Sequence, residues 1–235
     1  DAVVARFETT GEPNGVTIIT GAGMFATDRW AREGLTAQHI TSHIGLAPNF
    51  SKLIHGEKID AQFLPFGPIT HLIRAIGSKK PGILTKIGLG TFMDPEFGGG
   101  KMNKRSKKEY IEKLKVNGED YLFYKAFPIN VTIIKGTTAD ENGNISTENE
   151  SVCLDQLCAV LAARACGGKV IAQVERIALA GTIHPKQVKI PGILVDAVVV
   201  VPPEKHWQLP EYNKPELRGD IKVPLSTIPP MPLDA

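Results

Sequence analysis

Several stretches of the sequence bring together residue types that can do chemistry. Gly21-Ala22-Gly23-Met24-Phe25-Ala26 follows the β-branched run VTIIT (16–20). It fits the G-x-G-x-x-G/A pattern, in which a pyrophosphate rests on backbone N–H groups at a helix N-terminus. That fingerprint also needs an acidic residue ending a second strand about 20 positions on. The chain there reads HITSHIGLAP (39–48). What remains is a tight strand-end loop with exposed backbone. Gly98-Gly99-Gly100-Lys101 suggests a phosphate loop, but Met102 stands where Ser or Thr should bind Mg²⁺, and the glycine spacing is wrong. Lys101, Lys104, Arg105, Lys107 and Lys108 carry no interleaved aromatic for base stacking, so they read as a solvated loop and no nucleic-acid partner is expected. Glu141-Asn142-Gly143 follows VTIIK (131–135) and is either a strand-end nucleophile or base, or an Asn-Gly turn between solvated acids; the spacing favours the turn. His39 and His43 are four apart, with no H-E-x-x-H and no matching cysteine set, so no metal site is expected. No G-x-S-x-G elbow is present. Cys153, Cys158 and Cys166 form no C-x-x-C pair and read as small reduced core residues.

The elements that must position these residues alternate. VTIIT (16–20), HIT (39–41), IDAQFL (59–64), ILTKIGL (83–89), VTIIK (131–135), KVIAQVERI (169–177) and VDAVVVV (195–201) are short, β-branched and bounded by Gly or Pro. Several are apolar on both sides, as buried parallel strands are. Helices are expected over 47–55, over 67–77, where Ile69, Leu72, Ile73 and Ile76 share a face, and over 151–166. In the last of these, Leu154, Leu157, Cys158, Leu161 and Ala165 line one side, and Gly167-Gly168 stops the helix. This is the pattern of an α/β fold with an open, mostly parallel sheet flanked by helices. Residues 90–128 interrupt it with a long excursion that ends in a hairpin turn at Asn117-Gly118.

The composition is that of a globular protein: 42% hydrophobic, 22% charged, formal net charge +2 over 235 residues. A charge so small sets up no global field toward nucleic acid or an anionic membrane. The run ILVDAVVVV (193–201) is about half of the ~18 residues needed to span a bilayer. With no signal-peptide pattern at the start, a cytoplasmic protein is expected, or a mitochondrial-matrix one in a eukaryote. DAVVARFETTGEP (1–13) reads as the last turns of a helix, and 202–235 holds eight prolines, as a linker does. The expected organisation is therefore one α/β domain over 1–201 and a Pro-rich tail over 202–235, together forming a piece of something larger.

Strings spread along nearly the whole chain resemble the α half of the family I coenzyme A transferases, and most closely their acetate/propionate branch. They are RFETTGEP (6–13), IGLAP (44–48), LPFGPITHLIRAIGSKKPG (64–82), LTKIGLGTFMDPEFGGGKMN (84–103), GEDYLFYKAFPINVTIIKGTTADENGNIS (118–146), QVERI (173–177), KIPGILVDAVVV (189–200) and KVPLSTIPPMPLD (222–234). GLGTFMDPEFGGGKMN and KGTTADENGN are the specific ones.

The resemblance implies that CoA passes between an acyl-CoA and a short-chain carboxylic acid by a ping-pong route. A glutamate attacks the thioester, forms a mixed anhydride and then becomes a glutamyl-CoA thioester. Coenzyme A is then a substrate, and no cofactor is implied. The implied partner is the β half, which carries the glutamate in a Ser-x-Glu-Asn-Gly context, and the assembly is an oligomer. No catalytic residue is therefore placed in this chain, and Glu141 is not given that role. The resemblance puts the acyl pocket at the loop holding Phe66, Gly67 and Pro68, with Gly21, Gly23 and Gly45 on neighbouring strand-end loops. Relatives read Leu-Pro-Gln-Gly where this chain has Leu64-Pro65-Phe66-Gly67. Phe66 either lines the pocket or turns inward as core. An acyl-CoA hydrolase on the same scaffold and a catalytically silent partner subunit are the alternatives.

Overall fold

The computed structural model describes residues 1–22, 25–152, 154–206 and 214–229. The chain divides into two units, Asp1–Ile129 and Asn130–Ala235. The α/β class expected from the sequence is found in both.

The first unit opens with α1 (Ala2–Thr10), which stops where Gly11 turns left-handed (φ 75°) and donates its N–H to the Phe7 carbonyl. β1 (Val16–Ile19), β2 (Thr36–Thr41) and β3 (Asp60–Phe63) form a parallel sheet in that order. Between them lie α2 (Phe25–Asp28) and α3 (Pro48–His55), and after β3 comes α4 (Phe66–Gly77). α3 buries Phe50 and Ile54, one turn apart, into a cluster with Ala31, Ala47, Ile59 and Ala61. α4 buries Ile69, Leu72 and Ile76 at i, i+3 and i+7, as its periodicity requires.

β4 (Gly82–Thr85), β5 (Ile111–Val116) and β6 (Glu119–Lys125) make an antiparallel sheet in the order β4-β6-β5. The ILTKIGL run thus ends early and leaves the parallel pattern. A Cβ on Gly82 would stand 2.2 Å from the Tyr124 carbonyl oxygen, so glycine permits the pairing with β6. Gly88 and Gly90, both at positive φ, then turn the chain away. Asn117 (φ 52°) and Gly118 (φ 83°) form the expected tight turn between β5 and β6.

In the second unit β12 (Ala197–Val200), β10 (Lys169–Val174) and β7 (Val131–Lys135) form a parallel sheet in that order. β11 (Arg176–Ala178) pairs parallel with β8 (Thr138–Asp140), and β9 (Ile145–Ser146) pairs antiparallel with β8. The KVIAQVERI run is therefore two strands, β10 and β11, divided at Glu175. β7 and β8 break beside it, at Gly136, where a Cβ would lie 2.2 Å from Ile145 Cγ2. Two short helices, α6 (Pro203–His206) and α7 (Pro215–Arg218), follow β12.

α5 (Gln156–Ala165) begins later than the sequence predicts and turns a different face inward. It buries Val160, Ala162 and Ala163, while Leu157 and Leu161 are exposed and Leu154 precedes the helix. Small residues let the helix backbone approach the sheet: Thr132 on β7 donates its hydroxyl to the Ala159 carbonyl at 3.0 Å. Cys166 is exposed and Cys158 half-buried, so neither is the core residue expected. Cys153 lies outside the described residues. Among the described residues, no helix is long and apolar enough to cross a membrane.

Candidate functional site

Ligands of open α/β sheets bind at the carboxyl ends of the strands. In the first unit three loops meet there: Thr20–Ala22 after β1, Ser42–Ala47 after β2 and Leu64–Pro65 after β3. Ser42 donates both its backbone N–H (3.2 Å) and its hydroxyl to the Gly21 carbonyl. Leu64 N–H donates to the Thr41 carbonyl at 2.9 Å. The loops are thus fastened to one another.

Beneath them runs a buried polar chain that the sequence did not single out. Thr20 donates its hydroxyl to Thr41 Oγ1 (3.1 Å), and Thr41 donates to the His43 carbonyl (3.1 Å). With its proton spent, Thr20 Oγ1 accepts from His39 Nε2, also at 3.1 Å. The network therefore assigns the Nε2–H tautomer to His39. His39 Nδ1 is buried and has no partner among the described residues. The ring stacks on Phe50, with centroids 4.1 Å apart. Burial pushes the His39 pKa down to about 4 against the raising pull of the Asp28 carboxylate. Asp28 itself closes the N-terminus of α3, accepting from Asn49 N (3.1 Å), Asn49 Nδ2 (2.9 Å) and Phe50 N (2.8 Å).

The structure brings Phe66 and Gly21 together. A Cβ on Gly21 would sit 3.2 Å from Phe66 Cε2, so the ring edge lies over the glycine. Phe66 is 50% exposed and does not turn into the core. Gly67 follows it in α4 with nothing within 4 Å of the place a Cβ would take. Pro68 is buried at the third position of α4, not the first as its residue type suggests; Pro65 is the N-cap. Among the described residues no side chain caps this helix, and the first-turn amides of Phe66 and Gly67 have no intrahelical acceptor. Gly45 is exposed on the middle loop and donates its N–H to His43 Nδ1 at 3.3 Å. Gly23 lies outside the described residues.

The glycine run at 98–100 is a seal and not a phosphate cradle. Its amides are already used: Gly99 N donates to Asp94 O (3.0 Å), Gly100 N to Phe92 O (2.8 Å) and Lys101 N to Gly98 O (3.3 Å). Its carbonyls take Phe63 N (2.8 Å, at Gly100) and Gln62 Nε2 (2.7 Å, at Gly99), which closes the edge of β3. Buried Asp94 holds the loop, accepting from Gly90 N, Glu96 N and Lys113 Nζ. Burial alone would raise its pKa; these donors outweigh that and hold the carboxyl below its usual range. In the basic run, Lys101 pairs with Glu109 at 3.4 Å and Lys108 lies over the Tyr110 ring.

At 140–144 the chain forms the turn the spacing favours. The buried member is Asp140, whose carboxylate accepts from Asn142 N, Asn144 N, Asn144 Nδ2 and Gly181 N. Those bonds overcome the raising effect of burial and keep its pKa low. Glu141 is exposed and accepts from Ala180 N at 3.1 Å.

A second polar cluster lies at the carboxyl ends of β7 and β10. Lys135 Nζ is 3.0 Å from Glu150, and His206 Nε2, fully buried, lies 3.4 Å from Glu150 and 3.9 Å from Glu175. Desolvation lowers the Lys135 pKa against the pull of these carboxylates. Sequence reading missed the cluster because its members are scattered; only the strand-end positions of Lys135 and Glu175 gave a signal.

Two strand-end loop systems on parallel sheets, one fastened beneath an aromatic ring, define an α/β ligand-binding scaffold. The chain belongs to the Coenzyme A transferase family, which its residues 2–201 match, and is an α-type half. It is 44% identical over 239 residues to the caffeate CoA-transferase of Acetobacterium woodii, covering 99% of this chain and 46% of that protein. It is 35% identical over 238 residues to the acetate CoA-transferase YdiF of Escherichia coli K12, covering 99% of this chain and 45% of that one. The crystal structure of the acyl-CoA transferase YdiF from E. coli O157:H7, as a thioester complex with CoA, superposes with a TM-score of 0.90 at 34% identity over 95% of this chain and 45% of that chain. The chain thus spans about half the length of the curated relatives it matches.

Proposed function

We propose that this chain is the α half of a CoA-transferase that moves CoA between an acyl-CoA and a free carboxylic acid. The observation that carries this reading is the match of nearly the whole chain to proteins named for that reaction, while covering only about half of each. The reaction is read as ping-pong. A glutamate of a second half attacks the acyl-CoA carbonyl and expels CoA thiolate, leaving an acyl-glutamyl anhydride. The thiolate then attacks the glutamyl carbonyl and releases the first acid. The acceptor carboxylate reverses the two steps. A carboxylate suits the task because it is both nucleophile and leaving group, so the thioester is conserved. No proton has to be moved, which fits a strand-end site of amides and apolar surface.

In this reading the loop at Phe66, Gly67 and Pro68 and the loops at Gly21, Gly23 and Gly45 form the acyl-facing wall. On the same reading the amides of Phe66 and Gly67, which have no intrahelical acceptor, would donate to negative charge developing on an acyl oxygen. Residues 1–201 are the α-type domain, and the Pro-rich segment 202–235 leads toward the second half. The enzyme works as an oligomer in the cytoplasm, with CoA as substrate and no further cofactor. The test is CoA exchange between acetyl-CoA and a free acid, measured on this chain alone and together with a glutamate-bearing second half. Exchange only in the combined sample supports the reading. Thioester loss without an acceptor acid would instead show a hydrolase, and exchange by neither sample would show a silent subunit.

A further inference from the structure

The observation to be explained is a large aromatic side chain left half in solvent at the carboxyl end of a parallel sheet. Phe66 opens α4, separated from the end of β3 by Leu64 and Pro65, and is 50% exposed. One edge of its ring is seated on Gly21, the only residue type that leaves room there without pushing the ring: a Cβ would come to 3.2 Å from Cε2 and 3.8 Å from Cδ2 and Cζ. Gly21 is in turn held by the two hydrogen bonds from Ser42. On the helix side Gly67 adds no side chain, and the space where its Cβ would be is empty to 4 Å. Leu46, on the loop after β2, is also exposed. Among the described residues, the ring is thus seated at one edge on Gly21 and half exposed, with Gly67 adding no side chain beside it.

We infer that Phe66, seated on Gly21, is a specificity-determining residue that selects flat acyl groups, so that the acid substrate is an aryl or conjugated carboxylic acid. This rests on the CoA-transferase reading above and names its substrate class. An aromatic ring attracts a second π-system by offset or edge-to-face packing beyond what area burial gives. A saturated chain of equal size gains only the burial. A two-carbon acid reaches neither and leaves the exposed ring in water. Phe66 offers no hydrogen-bond donor from its side chain, so the discrimination falls on the shape and planarity of the acyl tail and not on its polar groups.

The test compares acceptor acids on the complete transferase, this chain with its second half, using acetyl-CoA as donor. The probes are cinnamate, 3-phenylpropanoate, 3-cyclohexylpropanoate and propionate. Cinnamate and 3-phenylpropanoate are expected to exceed 3-cyclohexylpropanoate in kcat/KM, although the three are of similar size. In Phe66→Leu the ratio of cinnamate to 3-cyclohexylpropanoate should fall by about two- to twelvefold, the ordinary worth of an aromatic pair. Phe66→Tyr should restore it. Gly21→Ala, which displaces the ring without removing it, should lower the same ratio. An unchanged ratio in Phe66→Leu, or equal wild-type use of 3-phenylpropanoate and 3-cyclohexylpropanoate, overturns the inference. Should no acid accept CoA, the transferase reading itself fails. Saturation-transfer NMR of cinnamate and 3-cyclohexylpropanoate binding to wild type and Phe66→Leu then decides the ring's preference separately: a cinnamate preference lost in the variant upholds it, and equal binding overturns it.

Discussion

Acidification from neutral pH to 4 should destabilise the first unit through His39. Its imidazole is buried on β2, stacked on Phe50, with Nε2–H spent on Thr20 and Nδ1 without a partner among the described residues. A proton on Nδ1 would place a charge where no described residue offers an acceptor. Burial therefore holds the folded pKa at about 4, against 6.5 in the free side chain, with Asp28 opposing the shift only in part. Because the folded value is the lower one, the unfolded chain takes up the proton first. The contribution to stability is complete above pH 6.5 and is lost as pH falls from 6.5 toward 4. At ~1.36 kcal/mol per unit the loss comes to roughly 3 kcal/mol. Urea unfolding of wild type and His39→Gln, followed between pH 7.5 and 4, isolates it, since the carboxylates titrate alike in both. The wild type should lose about 3 kcal/mol more than the variant. Parallel curves, or an NMR titration placing the His39 pKa at 6 or above, would refute the reasoning.

Two further substitutions probe the loops. Gly100→Ala meets a left-handed φ of 72° and a Cβ only 2.2 Å from the Phe63 carbonyl oxygen. The backbone strain alone costs about 1–3 kcal/mol, and the clash at the β3 edge adds to it, so thermal unfolding should show a loss above about 3 kcal/mol. Glu141→Gln should leave CoA exchange by the complete enzyme within about tenfold of wild type, because an exposed turn acid contributes little to a barrier. A loss of several orders of magnitude in exchange rate would assign Glu141 to catalysis.

The strand cores, the α4 face and the Asn117-Gly118 turn were legible because period and turn chemistry are local. Other features depended on neighbours the sequence does not display. β5 lies inside the long excursion, where only the turn that follows it was legible: its charges face partners on β6, with Lys125 3.2 Å from Glu112 and Lys115 4.0 Å from Asp120. α5 inverts its apparent stripe because Val160, Ala162 and Ala163 allow a closer approach to the sheet than leucines would. The break inside KVIAQVERI lies beside Gly136, between β7 and β8, whose missing Cβ makes room for Ile145. At the site, Gly21 and Gly23 were visible through their spacing, and Phe66 only through the family resemblance. The contact of Phe66 with Gly21 and the chain from His39 through Thr20 to Thr41 needed β1, β2 and β3 to be laid side by side. The Lys135, Glu150, Glu175 and His206 cluster was illegible for the same reason, being assembled from strand ends and a helix far apart in sequence.

On the proposed reading this chain supplies the acyl-facing wall while another half supplies the nucleophile. Intact-mass measurement after incubation of the complete transferase with an acyl-CoA, followed by hydroxylamine or borohydride trapping and peptide mapping, tests it most directly. The expected result is a CoA thioester on a glutamate of the second half and an unmodified 235-residue chain. Label on Glu141, or on any other carboxylate of this chain, would contradict it.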